Sequence, residues 1–148
     1  MTTGALKNRL ILIMEDDQDD AWLLERALNK LGVAKYHIVH DGEEGVAYLA
    51  GEGKYGDRSC YPVPGFIITD LKMPILNGLE FLKWLRGHDA FKRIPTLVLT
   101  SSRAERDVAS AYGFGANSYL VKPTTFEDLE KLGRVIRDYW ESCEIPEQ

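Results

Sequence analysis

The sequence has few cysteines, no long hydrophobic run and no excess of positive charge, and each of these absences excludes a class of protein. Its two cysteines, Cys60 and Cys143, lie far apart without CxxC spacing, which indicates free thiols rather than a zinc site or a disulfide framework. No apolar segment approaches the roughly 20 residues of a membrane span, and the apolar run after Arg9 is too short for a secretory signal. The net charge of −5 argues against a phosphate-backbone binder. We therefore expect a cytoplasmic protein that contacts neither membrane nor nucleic acid directly.

Length and composition fit one globular domain. The chain has 148 residues, of which 45% are hydrophobic and 28% charged, and a chain of this size buries enough apolar surface to fold without disulfides. We expect a single domain over residues 1–148, with a core from about residue 10 to about residue 139 and a C-terminal tail over residues 140–148.

Short apolar runs alternate with helical patterns along the chain. Nearly continuous hydrophobicity within each run is typical of strands that are covered by helices on both faces of a parallel sheet. The order is a strand followed by a helix, five times over, which predicts a doubly wound five-stranded parallel α/β sheet. The predicted strands are Leu10–Met14, Tyr36–Val39 (the weakest), Phe66–Thr69, Thr96–Leu99 and Ser118–Val121.

The helices between the strands carry recognisable start and stop residues. In the first, apolar residues recur at helical spacing from Leu24 to Leu31, with Asp19 or Asp20 available as N-cap and Gly32 as the stop. The irregular stretch Gly51–Gly65 predicts a surface loop within the domain. Other predicted N-caps are Asp41 with Glu44, Asn77, and Thr124 with Glu127.

Polar side chains follow the predicted strands and should meet at the carboxyl edge of the sheet, where doubly wound folds bind ligands. The first strand runs into EDDQDD, which places five carboxylates in six positions. Such a cluster repels itself unless a cation compensates, and oxygen ligands without Cys or His favour Mg²⁺. The residues expected at this edge are Glu15 and Asp16, Asp70, Thr100 and Ser101, and Lys122.

These groups suit phosphoryl chemistry. An aspartate beside Mg²⁺ and an ammonium group is suited to attack phosphorus and form an acyl phosphate. Thr100 and Ser101 supply hydroxyl donors, and Lys122 supplies a positive charge opposite the metal. The sequence thus predicts Asp70 as an acceptor of phosphoryl groups.

Four motifs in order resemble the receiver domain of two-component response regulators: EDD at 15–17, TDLKMPILNG at 69–78, LTSS at 99–102 and YLVKP at 119–123. The resemblance implies a (βα)5 flavodoxin-like fold with strand order 2-1-3-4-5. It also implies that Glu15 and Asp16 hold Mg²⁺, with Asp70 as phosphoacceptor and metal ligand and the backbone carbonyl of Lys72 as a further ligand.

The resemblance assigns the other edge residues as well. Thr100 is implied to be the switch hydroxyl, Tyr119 the aromatic side chain that moves with it, and Lys122 the phosphoryl-binding ammonium, with Ser101 beside it. The Lys122–Pro123 peptide is implied to be cis. Packing at the edge of the strand is the simpler alternative for Tyr119.

Two weaker features are similar to the small receivers that partner cyanobacterial-type phytochrome kinases: the long Gly51–Gly65 loop and the tail after Tyr139. This similarity implies a stand-alone response regulator, a sensor histidine kinase of phytochrome type as partner, and homodimerisation. Trp140 and Ile145 are either dimer contacts together with Tyr139 or simple packing on the last helix. That helix has a predicted apolar stripe of Leu129, Leu132, Ile136 and Tyr139.

Two alternatives to a phosphorylated receiver remain. A haloacid-dehalogenase-type phosphatase also uses an aspartate after a buried strand, but it requires a second carboxylate two residues later, where this chain has Lys72. A receiver-like binding module that is never phosphorylated should lack some site residues, and this sequence lacks none. We therefore expect a regulatory phosphoacceptor rather than an enzyme that turns over an external substrate.

Overall fold

Residues 9–33 and 35–145 are described by the structure, which is a computed structural model. These residues form five strands: β1 (Ile11–Met14), β2 (Tyr36–Val39), β3 (Phe66–Thr69), β4 (Thr96–Thr100) and β5 (Ser118–Val121). All neighbouring strands are parallel, and their order is β2-β1-β3-β4-β5. The predicted sheet and its strand order are confirmed, with β1 beginning one residue later and β4 ending one residue later than predicted.

Five α-helices connect or follow the strands: α1 (Gln18–Lys30), α2 (Gly42–Ala50), α3 (Gly78–Arg86), α4 (Glu105–Gly113) and α5 (Phe126–Ser142). A short 3₁₀ turn, Gly53–Gly56, lies between α2 and β3. Within the described ranges, no helix combines the length and hydrophobicity that a membrane span would need.

Side chains of the central strands pack on both faces of the sheet. In β1, Ile11 and Ile13 join a cluster with residues of α1 and α5, whereas Leu12 and Met14 join a cluster with residues of α2 and α3. Successive side chains of a strand point to opposite faces, so a strand covered on both faces needs apolar residues at every position. This explains the unbroken apolar run in β1.

Two predicted helix caps are wrong, and in both cases the helix begins elsewhere. The N-cap of α1 is Asp17, whose side chain accepts a hydrogen bond from the backbone N–H of Asp20. The N-cap of α5 is Thr125, one residue later than predicted, and it accepts from the N–H of Asp128. An N-cap side chain accepts a hydrogen bond from the N–H of the residue three positions on. Which of several neighbouring polar residues becomes the N-cap therefore depends on which backbone N–H is free at the start of the helix.

The caps of α2 and α3 are confirmed. Asn77 and Glu80 form a reciprocal capping box at the start of α3. Asp41 caps α2 by accepting from the N–H of Glu44, but the Glu44 carboxylate accepts from the N–H of His40 rather than from the cap residue itself.

The end of α5 packs differently from the predicted stripe. Trp140 is buried and stacks on Phe66, with ring centroids 5.2 Å apart and planes inclined by 11°, whereas Tyr139 is 45% exposed. Ile136 is three residues from Tyr139 and four from Trp140, so the three lie near one helix face. Tyr139 lies at the margin of that face, with its ring centroid 6.4 Å from that of Phe66, and Trp140 is the residue that is buried. Ile145 is buried in the same cluster. Of the two alternatives for Trp140 and Ile145, packing within their own chain is therefore the one that the structure shows.

The stretch predicted as a surface loop contributes to the core. Tyr55 is buried and, with Tyr61 of the same loop, forms a cluster of rings with Tyr48 of α2 and His37 of β2. Arg58 donates to the backbone oxygens of Tyr48 and Leu49, which lie in the last turn of α2. The loop thereby supplies hydrogen-bond donors to carbonyl groups that have no partner within the helix at its C-terminus.

Candidate functional site at the carboxyl edge of the sheet

Asp70 follows β3 directly and lies at the centre of the carboxyl edge. Its side chain is 9% exposed, and Oδ1 accepts a hydrogen bond of 2.6 Å from the N–H of Leu71. The start of α3 packs closely behind it, because a Cβ on Gly78 would clash with the backbone oxygen of Asp70. Only glycine permits this approach, which fixes the loop after β3 against the site.

Glu15, Asp16 and Asp70 form one carboxylate cluster. A ligand oxygen from each lies within 4.8 Å of the others; Glu15 and Asp70 are buried and Asp16 is exposed. The backbone oxygen of Glu15 lies 3.2 Å from Nδ1 of His40, and its carboxylate accepts from the N–H of Asp17. The structure therefore brings together the acidic side chains that the sequence predicted as metal ligands.

The Lys122 ammonium lies among these carboxylates. Its Nζ is 2.5 Å from Glu15, 2.6 Å from Asp70 and 2.8 Å from Asp20. Burial alone would lower the pKa of Lys122, but the hydrogen bonds to Asp20, Asp70 and Glu15 outweigh burial and raise that pKa. Lys122 therefore carries a fixed positive charge beside Asp70.

The carboxyl group of Glu15 has a raised pKa. Burial raises its pKa to about 7; the hydrogen bond from Lys122 opposes this shift, and the negative charge of Asp70 adds to it. A carboxylate with this pKa is only partly ionised at neutral pH. A bound cation would favour its charged form and so relieve the repulsion within the cluster.

The hydroxyl residues at the end of β4 and directly after it occupy different environments. Thr100 is buried at the end of the strand, and its backbone oxygen accepts from the N–H of Lys122. Ser101 is exposed. Tyr119, on the neighbouring strand β5, donates its hydroxyl hydrogen to the backbone oxygen of Ser102 over 2.9 Å.

Two expectations near the site have different outcomes. Lys72 lies two residues after Asp70, and its N–H contacts Oδ1 of Asp70 at 3.4 Å; its backbone carbonyl stays a predicted ligand.

The predicted cis Lys122–Pro123 bond is wrong, because the described residues include no cis peptide. The trans form is favoured for Xaa-Pro bonds by about 0.5–1 kcal/mol, and no local sequence signal overrides that preference.

Asp20 and His40 lie at the site although no motif in the sequence assigns them to it. The sequence predicts Asp20 as a possible helix cap within the acidic run EDDQDD, because a capping carboxylate and a lysine partner look alike in a sequence. Once α1 begins at Gln18, Asp20 lies in its first turn, within 2.8 Å of Lys122. His40 follows β2, so its position at the carboxyl edge was the available signal.

The donor set of the cluster fits a hard divalent cation. In the part of the chain that the structure describes, three carboxylates contribute oxygen to the cluster, and neither Cys nor His contributes a ligand atom. Carboxylate oxygens at this spacing, with one exposed member, allow a cation that keeps some of its waters. In chemical terms the arrangement combines a carboxylate of Asp70, a type of group that can attack phosphorus, with the Lys122 ammonium, a type of group that can bind phosphoryl oxygens.

A comparison with protein families gives one match that covers most of the chain. The family described as Response regulator receiver domain matches residues 11–134. That range contains all five strands and every residue of the site described above.

Several relatives are similar over nearly their whole length. Response regulator Rcp1 of Synechocystis sp. is 33% identical over 140 residues, which are 93% of each chain. The "Probable methanogenesis regulatory protein FilR2" of Methanothrix harundinacea is 36% identical over 88% of this chain and 83% of its own. The phosphorylated cyanobacterial phytochrome response regulator RcpA is 31% identical, with a TM-score of 0.86 over 94% of this chain and 99% of its own. The Mn²⁺-bound form of Rcp1 has a TM-score of 0.83 over 94% of this chain and 99% of its own.

Proposed function

Because this chain belongs to the response regulator receiver family, whose members bind a divalent metal at an acidic pocket and act in phosphorelay signalling with a sensor kinase, we propose that Asp70 is its phosphoacceptor. The observation that carries this proposal is the Lys122 ammonium, 2.6 Å from a buried aspartate within a carboxylate cluster. In the reaction, an Asp70 oxygen forms a bond to phosphorus while the bond from phosphorus to the donor's leaving group breaks.

We propose Mg²⁺ as the cation, held by Glu15, Asp16, Asp70 and the backbone carbonyl of Lys72. When bound, it neutralises charge on the transferring phosphoryl oxygens. Support comes from the oxygen-only donor set and from the Mn²⁺ bound by Rcp1, since both ions accept carboxylate ligands. Lys122 binds a phosphoryl oxygen from the other side, with Ser101 at the exposed rim.

Thr100 and Tyr119 are proposed as the switch. Phosphorylation adds about −1.5 to −2 charges and three acceptor oxygens, and the Thr100 hydroxyl can turn to donate to one of them. Tyr119 then exchanges its bond to the Ser102 oxygen for a position nearer Thr100. This changes the surface formed by α4, β5 and α5, as a shift between two packed states.

A phytochrome-type sensor histidine kinase is the proposed phosphodonor, because Rcp1 and RcpA are similar along nearly the whole chain. We also propose a homodimer. Its contacts would use the exposed apolar residues of α5, Val135 and Tyr139, because Trp140 is already buried within its own chain. No direct contact with nucleic acid is proposed, in keeping with the net charge of −5. A cytoplasmic location stays a prediction.

Incubation with acetyl phosphate and Mg²⁺ tests the assignment of Asp70. We expect a labile phosphorylated band on a phosphate-affinity gel for the wild type and for Asp19→Asn, which removes an exposed carboxylate of α1, but not for Asp70→Asn. Stable phosphorylation of Asp70→Asn would contradict the assignment. Size-exclusion chromatography of the same samples reports whether phosphorylation changes the oligomeric state.

The regulatory role has its own test. Multiple turnover of a generic phosphate ester such as p-nitrophenyl phosphate, lost in Asp70→Asn, would favour a phosphatase instead. We propose that this chain accepts a phosphoryl group and hydrolyses only its own acyl phosphate.

A further inference from the structure

Lys122 has three carboxylate partners, and one of them differs from the others in its position. Glu15 and Asp70 follow β1 and β3, and their side chains are 5% and 9% exposed. Asp20 lies in the first turn of α1, and its side chain is 40% exposed. It therefore reaches Lys122 from the rim of the site rather than from the sheet.

The two buried partners belong to the group that takes part in metal and phosphoryl chemistry. Glu15 and Asp70, with Asp16, form the cluster whose oxygens lie within 4.8 Å of one another, and Asp20 is outside this cluster. A cation bound there engages the charge of Glu15, and phosphorylation converts Asp70 into an acyl phosphate. Among the residues that the structure describes, Asp20 is therefore the carboxylate partner of Lys122 that takes part neither in cation binding nor in phosphorylation. It can stay bound to Lys122 during both.

The surroundings of Lys122 explain why such a partner matters. A cavity of about 70 Å³ lies beside the Asp20–Lys122 pair, and its walls combine four leucines and Phe126 with the segment Pro123 to Thr125 and with Glu15. The lysine ammonium is carried on a flexible four-carbon stem, which does not by itself fix the position of the charge. Without a second anchor, the stem has room to move into this space.

We propose that Asp20 is a positioning residue that holds the Lys122 ammonium towards the phosphoryl oxygens throughout the reaction. It touches neither the cation nor the phosphoryl group and acts through Lys122. This inference deepens the proposed function and rests on it. It predicts that the Asp20 carboxylate contributes to binding and transfer of the phosphoryl group even when the metal site is saturated.

Three variants at neighbouring positions of α1 test the proposal. Asp20→Asn keeps size but removes charge, Asp20→Glu keeps the charge, and Asp19→Asn is the matched control at an exposed position of the same turn. Each is titrated with Mg²⁺ first, by tryptophan fluorescence, so that later measurements use saturating metal. Far-UV circular dichroism and urea unfolding establish that each variant is folded.

Two readouts follow at saturating Mg²⁺. The first is the rate of phosphorylation by acetyl phosphate, and the second is the dissociation constant of beryllofluoride, a noncovalent mimic of the phosphoryl group. For a partly exposed ion pair we expect Asp20→Asn to lower the rate and weaken binding by about threefold to fivefold. Asp20→Glu should recover part of both effects, and Asp19→Asn should match the wild type.

A double-mutant cycle separates positioning from a general effect of negative charge. In the Lys122→Met background, Asp20→Asn should change beryllofluoride affinity by less than about twofold, because the group through which Asp20 acts is gone. Equal effects in both backgrounds, or a loss that disappears once Mg²⁺ is saturating, would overturn the inference. A reactive wild type with an unchanged Asp20→Asn would overturn this inference alone, whereas an unreactive wild type would overturn it together with the proposed function.

Discussion

Replacing Lys122 with methionine removes the ammonium from the carboxylate cluster and leaves a side chain of similar length. Glu15 and Asp70 then remain buried, with side chains 5% and 9% exposed, and without their cationic partner. Breaking a buried ion pair by removing one partner costs about 3–5 kcal/mol. In metal-free protein at pH 8 we expect the free energy of unfolding to fall by about 3 kcal/mol, near the lower limit of this range, because Asp20 is partly exposed and remains solvated.

The loss should be smaller at pH 6. The pKa of Glu15 is already raised to about 7, and the hydrogen bond from Lys122 opposes that rise, so removing Lys122 raises it further. A group with a raised pKa in the folded state contributes stability that is full below its unfolded pKa and is lost as pH rises through the folded value. As pH falls from 8 through this higher pKa, the variant takes up a proton at Glu15 and recovers part of its stability.

Urea unfolding in EDTA and in Mg²⁺ measures these changes. The control is Lys83→Met, which removes an exposed lysine of α3 and should change stability by less than about 0.5 kcal/mol. Mg²⁺ at 100 times its dissociation constant stabilises a folded protein by about 2.7 kcal/mol. Its affinity should be higher in Lys122→Met, because the ammonium no longer competes for the carboxylates. Equal stability of Lys122→Met and the wild type in EDTA at pH 8 would refute this account of the site.

Three further perturbations test the surrounding fold. Trp140→Ala should lower the free energy of unfolding by about 3–5 kcal/mol, against less than about 1 kcal/mol for Tyr139→Ala, as measured by urea unfolding; similar losses would contradict burial of Trp140. Ile75 is exposed with φ of 69°, a conformation that strains a β-branched residue, so Ile75→Gly should raise stability by about 0.5–1 kcal/mol, and a lower urea midpoint would contradict this. Burial lowers the pKa of His37, so the contribution of neutral His37 to stability is present above pH 6.5 and is lost as pH falls through the lowered pKa. His37→Phe should therefore weaken the pH dependence of the urea midpoint between pH 5 and pH 6.5. An unchanged pH profile would contradict this prediction.

The sheet and the main residues of its carboxyl edge could be predicted because they depend on local patterns. An apolar run such as Phe66–Thr69 identifies a strand. The polar residue that follows the run, Asp70, must then lie at the carboxyl end of that strand. Parallel pairing then places such neighbours together without knowledge of side-chain contacts. Glu15, Asp16, Asp70 and Lys122 could therefore be assigned to one edge before their distances were known.

Contacts that depend on tertiary packing could not be predicted in this way. Asp17 and Asp20 are chemically identical, and only the start of α1 determines that one caps the helix and the other binds Lys122. Trp140 and Tyr139 are adjacent and both aromatic, and only the packing of α5 on the sheet determines that Trp140 is the one that is buried. The cluster around Tyr55 has no helical or strand periodicity, so no pattern in the sequence indicated it.

The loop that contains Tyr55 and Arg58 determines which residue α2 can carry at position 48. Tyr48 is fully buried although it lies on α2, because the loop covers its ring and the backbone oxygen of Pro62 accepts its hydroxyl hydrogen over 2.8 Å. A chain that lost the loop would expose both the ring and the last carbonyls of α2. Tyr48 and the loop therefore depend on each other, and among receivers we expect loop length to covary with the residue at this position.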